Sequence, residues 1–268
     1  MRSKQLALIA LLIAFQPVIL FSQLIPGKHL EGETYALLIG ISEYENEELN
    51  LKLGRQDAKV MEDHLLRTAS PSIDRDHLQI LTDKKATRNN ILAALTWLVR
   101  VAKKGDRIMI FFSGQGAPRG LACHDFDTMS GANLLSHNAI KTLLKKSKSK
   151  QIFMLIDANH AGAADKAWYM GAAAEIIETY KNTGISILLS CSKEESSLAY
   201  SSEGISYFTH FLLEGIFGEA ANKNGDNLIT IGEVFEYVEE RIKLLSEESQ
   251  TPQKAGNFDP NILIHYLK

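Results

Sequence analysis

Arg107-Ile-Met-Ile-Phe-Phe-Ser-Gly-Gln-Gly116 and Ile152-Phe-Met-Leu-Ile-Asp-Ala-Asn-His-Ala-Gly162 follow one pattern. Each is a short apolar run that gives way at once to small and polar turn residues. Runs of this length, bounded by turn chemistry, fit strands buried on both faces. Tyr35–Ile41, His77–Leu81 and Ile185–Ser190 repeat the apolar part, and Asn261–Tyr266 reads as a last strand. Helical spacing fills the intervals. Asp57–Thr68 places Val60, Met61, His64 and Leu65 on one face, and Asn89–Ala102 does the same with Ile91, Leu92, Leu95 and Leu98. Asn138–Lys146 reads as a short helix capped by Ser136. Further helices are expected within Ala163–Tyr180 and near Tyr207–Phe217 and Ile231–Leu245. Apolar strands alternating with amphipathic helices predict an α/β fold of three layers: a mostly parallel sheet with helices on both faces. Glu247–Asp259 reads as the loosest loop. Lys145, Lys146, Lys148 and Lys150 read as a solvated helix terminus rather than a binding patch.

Composition narrows the function classes. The chain has 268 residues, 29 Lys+Arg against 32 Asp+Glu, a net charge of −3 and two cysteines. Two cysteines cannot build a disulfide framework or the usual four-ligand structural zinc site. The near-balanced charge gives no field for nucleic acid. The apolar content of 45% is that of a globular chain.

The N-terminus stands apart. Arg2 and Lys4 precede the apolar run Leu6–Phe15, which resumes as Val18–Phe21 after Gln16 and Pro17. This is the layout of a secretory signal peptide over residues 1–22, or of an uncleaved N-terminal anchor. The run is short for a membrane span. No cysteine follows it, which excludes a lipoprotein anchor. Cleavage after Ser22 removes Arg2 and Lys4 and takes the net charge from −3 to −5. The expected location is periplasmic or extracellular after cleavage, and membrane-anchored otherwise. Residues 34–268 are expected to form a single domain.

In parallel sheets, ligands sit outside the carboxyl ends of the strands. Ser113-Gly-Gln-Gly116 and Asp157-Ala-Asn-His-Ala-Gly162 both fall there, as does Cys191 after the fifth strand. Taken together, the two motifs resemble those of the caspase and metacaspase family of cysteine peptidases. Leu53-Gly-Arg-Gln-Asp-Ala58 is similar to the family's opening segment. Ser113-Gly-Gln-Gly116 stands where the family has Ser-Gly-His-Gly, and Asp157-Ala-Asn-His-Ala-Gly162 where it has Asp-x-Cys-His-Ser-Gly. Gln115 and Asn159 are 44 residues apart, near the roughly 50 between the caspase histidine and cysteine. Tyr207-Phe-Thr209, Asn222–Glu233 and Gln250-Thr-Pro252 resemble the family's C-terminal portion. The resemblance implies a caspase-like fold with a six-stranded sheet, mostly parallel, its last strand antiparallel.

The chain departs from the family at the two residues that carry its chemistry. A cysteine peptidase needs a thiolate activated by an imidazole. Asn159 holds the nucleophile position, and its carboxamide does not attack a peptide carbonyl. Gln115 holds the general-base position and has no titration near neutral pH. The resemblance still implies a pocket for a basic side chain, lined by Asp57, Ser113 and Asp157. It also implies oxyanion-type donors in the backbone N–H groups of Gly116 and Asn159. The expectation is therefore an exported pseudopeptidase that binds a peptide or protein segment through Arg or Lys. Nucleic acid is not expected as a partner, and a membrane only through the N-terminal segment. The alternative is an active endopeptidase, by family membership or through a displaced thiol such as Cys191 with His160. A Cys123–Cys191 disulfide is open in an exported protein. No cofactor is implied. Asn222, Asn224, Asp226 and Glu233 fall at positions 1, 3, 5 and 12 of an EF-hand-type loop, but Asn222 and Asn227 replace the consensus Asp and Gly, which weakens calcium binding.

Overall fold

The structure, a computed structural model, describes residues 32–68, 73–117, 119–159, 172–192, 195, 197–200 and 204–267. The signal or anchor segment, His160 and the start of the helix expected from Ala163 lie outside these residues.

Strands and helices alternate through most of the chain. In order they are β1 (Thr34–Gly40), α1 (Gly54–Arg67), β2 (Leu78–Thr82), α2 (Arg88–Val101), β3 (Arg107–Ala117), β4 (Gly120–Ala122), β5 (Leu134–Ser136), α3 (His137–Leu144) and β6 (Gln151–Asn159). They continue as α4 (Ala172–Tyr180), β7 (Ile185–Leu189), β8 (Ala199–Tyr200), β9 (Ile205–Ser206), α5 (Tyr207–Phe217), β10 (Leu228–Thr230), α6 (Ile231–Leu245), β11 (Gln253–Gly256) and β12 (Leu263–Tyr266). The main sheet runs β11-β7-β6-β3-β1-β2. Its pairings are parallel except at the edge, where β11 runs antiparallel to β7.

Both faces of this sheet are covered, which is why its strands read as unbroken apolar runs. Side chains alternate between faces along each strand. Leu37, Ile39, Ile108, Ile110 and Phe112 pack with Ile91, Leu95 and Leu98 of α2, Ile140 and Leu144 of α3, and Ile176 and Tyr180 of α4. Ala36, Leu38, Met109 and Phe111 pack on the other side with Met61 and Leu65 of α1, Phe208 and Phe211 of α5, and Val234 and Val238 of α6. Ser136 caps α3 by accepting the Ala139 N–H, as its sequence position predicts.

Three expectations change. Ser113-Gly-Gln-Gly116 does not follow the third strand but belongs to it, because the β3–β6 ladder continues through Ser113–Asp157 and Gly114–Ala158 to Gln115–Asn159. The antiparallel edge strand comes from Gln253–Gly256, inside the segment read as a loose loop. The expected last strand, here β12, pairs with β10 in a separate two-stranded sheet.

Candidate functional site

The site forms where α1 meets the carboxyl ends of β1 and β3. A Cβ on Gly54 would lie 2.4 Å from the Ile41 carbonyl oxygen and 2.7 Å from that of Ser113. A bare backbone lets the first turn of α1 seat directly on the strand ends. Ile41 N–H donates to the Ser113 carbonyl at 2.9 Å and closes the same corner. Asp57, one turn into α1, is thereby aimed at β3.

Asp57 is 1% exposed. Its Oδ2 accepts from Ser113 Oγ at 2.7 Å and its Oδ1 from the Ser206 N–H at 2.9 Å. On the neighbouring strand, Ser113 faces Asp157 in register. Asp157 is also buried, and its Oδ1 makes no well-aligned hydrogen bond among the described residues. The hydroxyls of Ser206, Ser197 and Ser190 still lie near enough to favour its charged form. Three residues far apart in sequence are thus brought to one place.

The electrostatics are those of two carboxyls sharing a dry site without a cation. Burial, with the nearby Asp157 charge second, raises Asp57 from 3.8 to about 7. Burial raises Asp157 as well. No Lys or Arg among the described residues forms an ion pair with either. Two buried carboxyls whose charges feel each other do not both ionise readily, so they titrate as a pair above the ordinary carboxylate range.

Ser206, Ser190, Ser197 and Gln250 complete the surroundings, and sequence reasoning gave them no role. Gln250, fully buried, donates from Nε2 to the Ser190 carbonyl at 2.9 Å and accepts the Leu198 N–H at 2.8 Å. It ties the end of β7 to the approach to β8. The available signal was the Gln250-Thr-Pro252 segment itself, a polar residue inside an apparent loop.

The two positions that the resemblance aligns with the family's dyad are register partners on the two central strands, Gln115 opposite Asn159. Gln115 is 1% exposed. Its N–H donates to Tyr44 Oη at 2.7 Å and its Nε2 to the Leu49 carbonyl at 3.1 Å, while Oε1 finds no donor among the described residues. The carboxamide therefore holds the β1–α1 segment over the strand. Gly116, expected from the resemblance to offer a backbone donor, pairs with Leu121 at the start of the β3–β4 hairpin.

Both cysteines are free and buried. Burial pushes the Cys191 thiol up to about 12 and the Cys123 thiol to about 12. Cys191 Sγ contacts the Glu195 carbonyl at 3.5 Å, and a thiol held protonated is a poor nucleophile. His124 contacts the Glu43 carbonyl through Nδ1 at 2.6 Å. Farther away, Asn224 Nδ2 donates to Glu233 Oε1, and Glu233 Oε2 accepts from the Thr230 N–H in the capping box of α6. Asn222 Nδ2 donates to Asn227, and Asp226 accepts the Leu228 N–H. Among the described residues no group of three or more His, Cys, Asp or Glu is placed to hold a metal ion.

This geometry agrees with comparisons against known proteins. A crystal structure of a protein from Geobacter sulfurreducens superposes with a TM-score of 0.60 at 20% identity, covering 87% of this chain and 97% of that one. It shares the fold. The curated proteins contain no match. A family model of the caspase domain matches residues 33–259, and the chain belongs to that family.

Proposed function

We propose that the protein is an exported, non-catalytic caspase-domain protein that recognises a peptide segment by taking an Arg or Lys side chain between Asp57 and Asp157. The observation that carries this reading is the buried carboxyl pair with no cation of its own. A guanidinium suits it, since each carboxylate can accept from it in a directed way and Ser113 supplies a further acceptor. Gln115 and Asn159 support the absence of turnover, because neither side chain can generate or act as a thiolate. Gly116 and Asn159 would then serve as backbone contacts for the bound segment. The apolar run at residues 6–21 supports export.

Calorimetry with a short Arg-containing peptide and its norleucine counterpart tests this. The Arg peptide should bind, the norleucine peptide should not, and Asp157→Asn should lose binding while keeping its circular dichroism. Equal binding of both peptides to wild type would remove the pocket from the reading. Hydrolysis by wild type, abolished by alkylating Cys191, would replace it with an active peptidase.

A further inference from the structure

The sheet edge opposite the candidate site carries a concentration of one charge. Lys103 and Lys104 lie in the turn from α2 to β3, and Lys145, Lys146, Lys148 and Lys150 between α3 and β6; all six are exposed. The two turns are fastened together. Ser149 Oγ donates to the Asp106 carbonyl at 2.6 Å, and Gln151 Nε2 donates to the Gly105 carbonyl at 3.3 Å. None of the six lysines pairs with a carboxylate of a described residue. The acid within these turns, Asp106, is 6% exposed and occupied by the N–H groups of Glu33 and Lys103. Glu33 is the exposed acid beside them. Asp74 and Asp76 lie farther across the sheet, before β2. Six ammonium groups on one edge, none ion-paired among the described residues, stand out in a chain whose net charge is −3.

The chain enters the fold at the same edge. The Gly32 carbonyl accepts from Arg107 Nη2 at 2.7 Å, and the Glu33 carbonyl from the Arg107 N–H at 2.8 Å. Gly32 has φ +82°, and a Cβ there would lie 2.5 Å from the Gly105 carbonyl oxygen. Residue 32 is therefore packed against the turn that carries Lys103 and Lys104. Ten residues separate it from the apolar run that ends at Phe21, a stretch that reaches at most about 35 Å.

We propose that this edge is a docking face for an anionic lipid surface. The described chain begins at this edge, ten residues after the apolar run in sequence, so a run retained as an anchor and the lysine patch would supply two different signals. An apolar anchor and a polybasic patch together hold a protein at a membrane far better than either alone. The charged groups are lysines, compact point charges suited to a field of headgroup phosphates rather than to bidentate recognition of one phosphate. No aromatic side chain lies in either turn to stack on a base, which disfavours single-stranded nucleic acid. Docked this way, the carboxyl pair faces away from the membrane. Asp157 is the seventh residue of β6, which sets the pair about 20 Å from the lysine turns.

The test is sedimentation of the full-length protein with phosphatidylcholine vesicles, with and without phosphatidylglycerol, at low and high ionic strength. Binding to phosphatidylcholine alone measures the apolar segment and is subtracted. Phosphatidylglycerol should raise the bound fraction and salt should reverse the gain. Each lysine near an anionic surface is worth about fivefold in partitioning, so K145Q/K146Q/K148Q should lower the phosphatidylglycerol-dependent coefficient about a hundredfold. K52Q/K84Q/K85Q makes the same charge change with exposed lysines at the opposite edge and should match wild type. Thermal melts confirm that both variants fold. Binding indifferent to phosphatidylglycerol, equal losses in the two variants, or capture by duplex DNA in preference to the vesicles would each overturn the proposal.

Discussion

At position 115 a general base would need a titrating ring directed at a thiol on the neighbouring strand. The Gln115 carboxamide instead donates to the Leu49 carbonyl and lies under the β1–α1 segment. In this position it fastens structure, and a carboxamide has no proton to take up or return near neutral pH. The side-chain pair acts as a unit, so neither replacement alone can recover chemistry. Gln115→His and Asn159→Cys singly should give no hydrolysis of Arg- or Lys-containing fluorogenic peptides, whereas the double variant should give measurable turnover after those residues. A peptide-release assay reads this directly. Ser113 makes a separate residue-scale prediction. Its hydroxyl is the donor to Asp57 Oδ2, and both residues are buried. Ser113→Ala leaves that oxygen without its partner and should cost about 1–3 kcal/mol in denaturant unfolding.

The site depends on how closely α1 approaches the strand ends, and that approach rests on Gly54. A methyl group there meets two backbone carbonyl oxygens, neither of which can swing away as a side-chain tip would. Gly54→Ala should therefore push the first turn of α1 outward and destabilise the protein by about 1–3 kcal/mol. Asp57 moves with that turn, so peptide affinity should fall as well. Calorimetry on the folded fraction separates the two effects. The sequence makes this element visible but not its start. Periodicity locates Val60, Met61, His64 and Leu65, while the first turn is glycine and polar residues that carry no apolar signal. The same reason explains the other shifts. β3 and β6 extend past their apolar runs because ladder hydrogen bonds need no apolar side chain, so Ser113–Gln115 pair as well as Ile108–Phe112 do. β11 escapes a pattern reading because only Ala255 of its four residues is buried. Asp57, Ser113 and Asp157 were legible through motif resemblance. Ser206 and Gln250 were not, since their roles come from backbone groups and contacts 149 and 60 residues away.

For the molecule as a whole, two buried titrations oppose each other. His137, buried with no hydrogen-bond partner on either ring nitrogen among the described residues, is held down to about 4 by burial. The stability it contributes is present above its unfolded value of 6.5 and is lost as pH falls through about 4. Asp57 acts in the other sense. Its folded value of about 7 exceeds the unfolded 3.8, so its contribution is full below about 4 and is lost as pH rises through 7, at a cost on the order of a few kcal/mol. Asp157→Asn removes the neighbouring charge, and its melting temperature should therefore exceed that of wild type at pH 8 and converge with it near pH 5. The same linkage governs the ligand. A peptide guanidinium prefers both carboxyls ionised, so binding at low pH must first expel the proton that burial holds on Asp57. With Asp57 near 7, affinity should be about thirtyfold weaker at pH 5.5 than at pH 8. Because ligand stabilisation grows with the ratio of concentration to dissociation constant, a fixed excess of Arg peptide should raise the melting temperature more at pH 8 than at pH 5.5. A thermal shift of equal size at the two pH values would mean that the peptide does not meet the carboxyl pair.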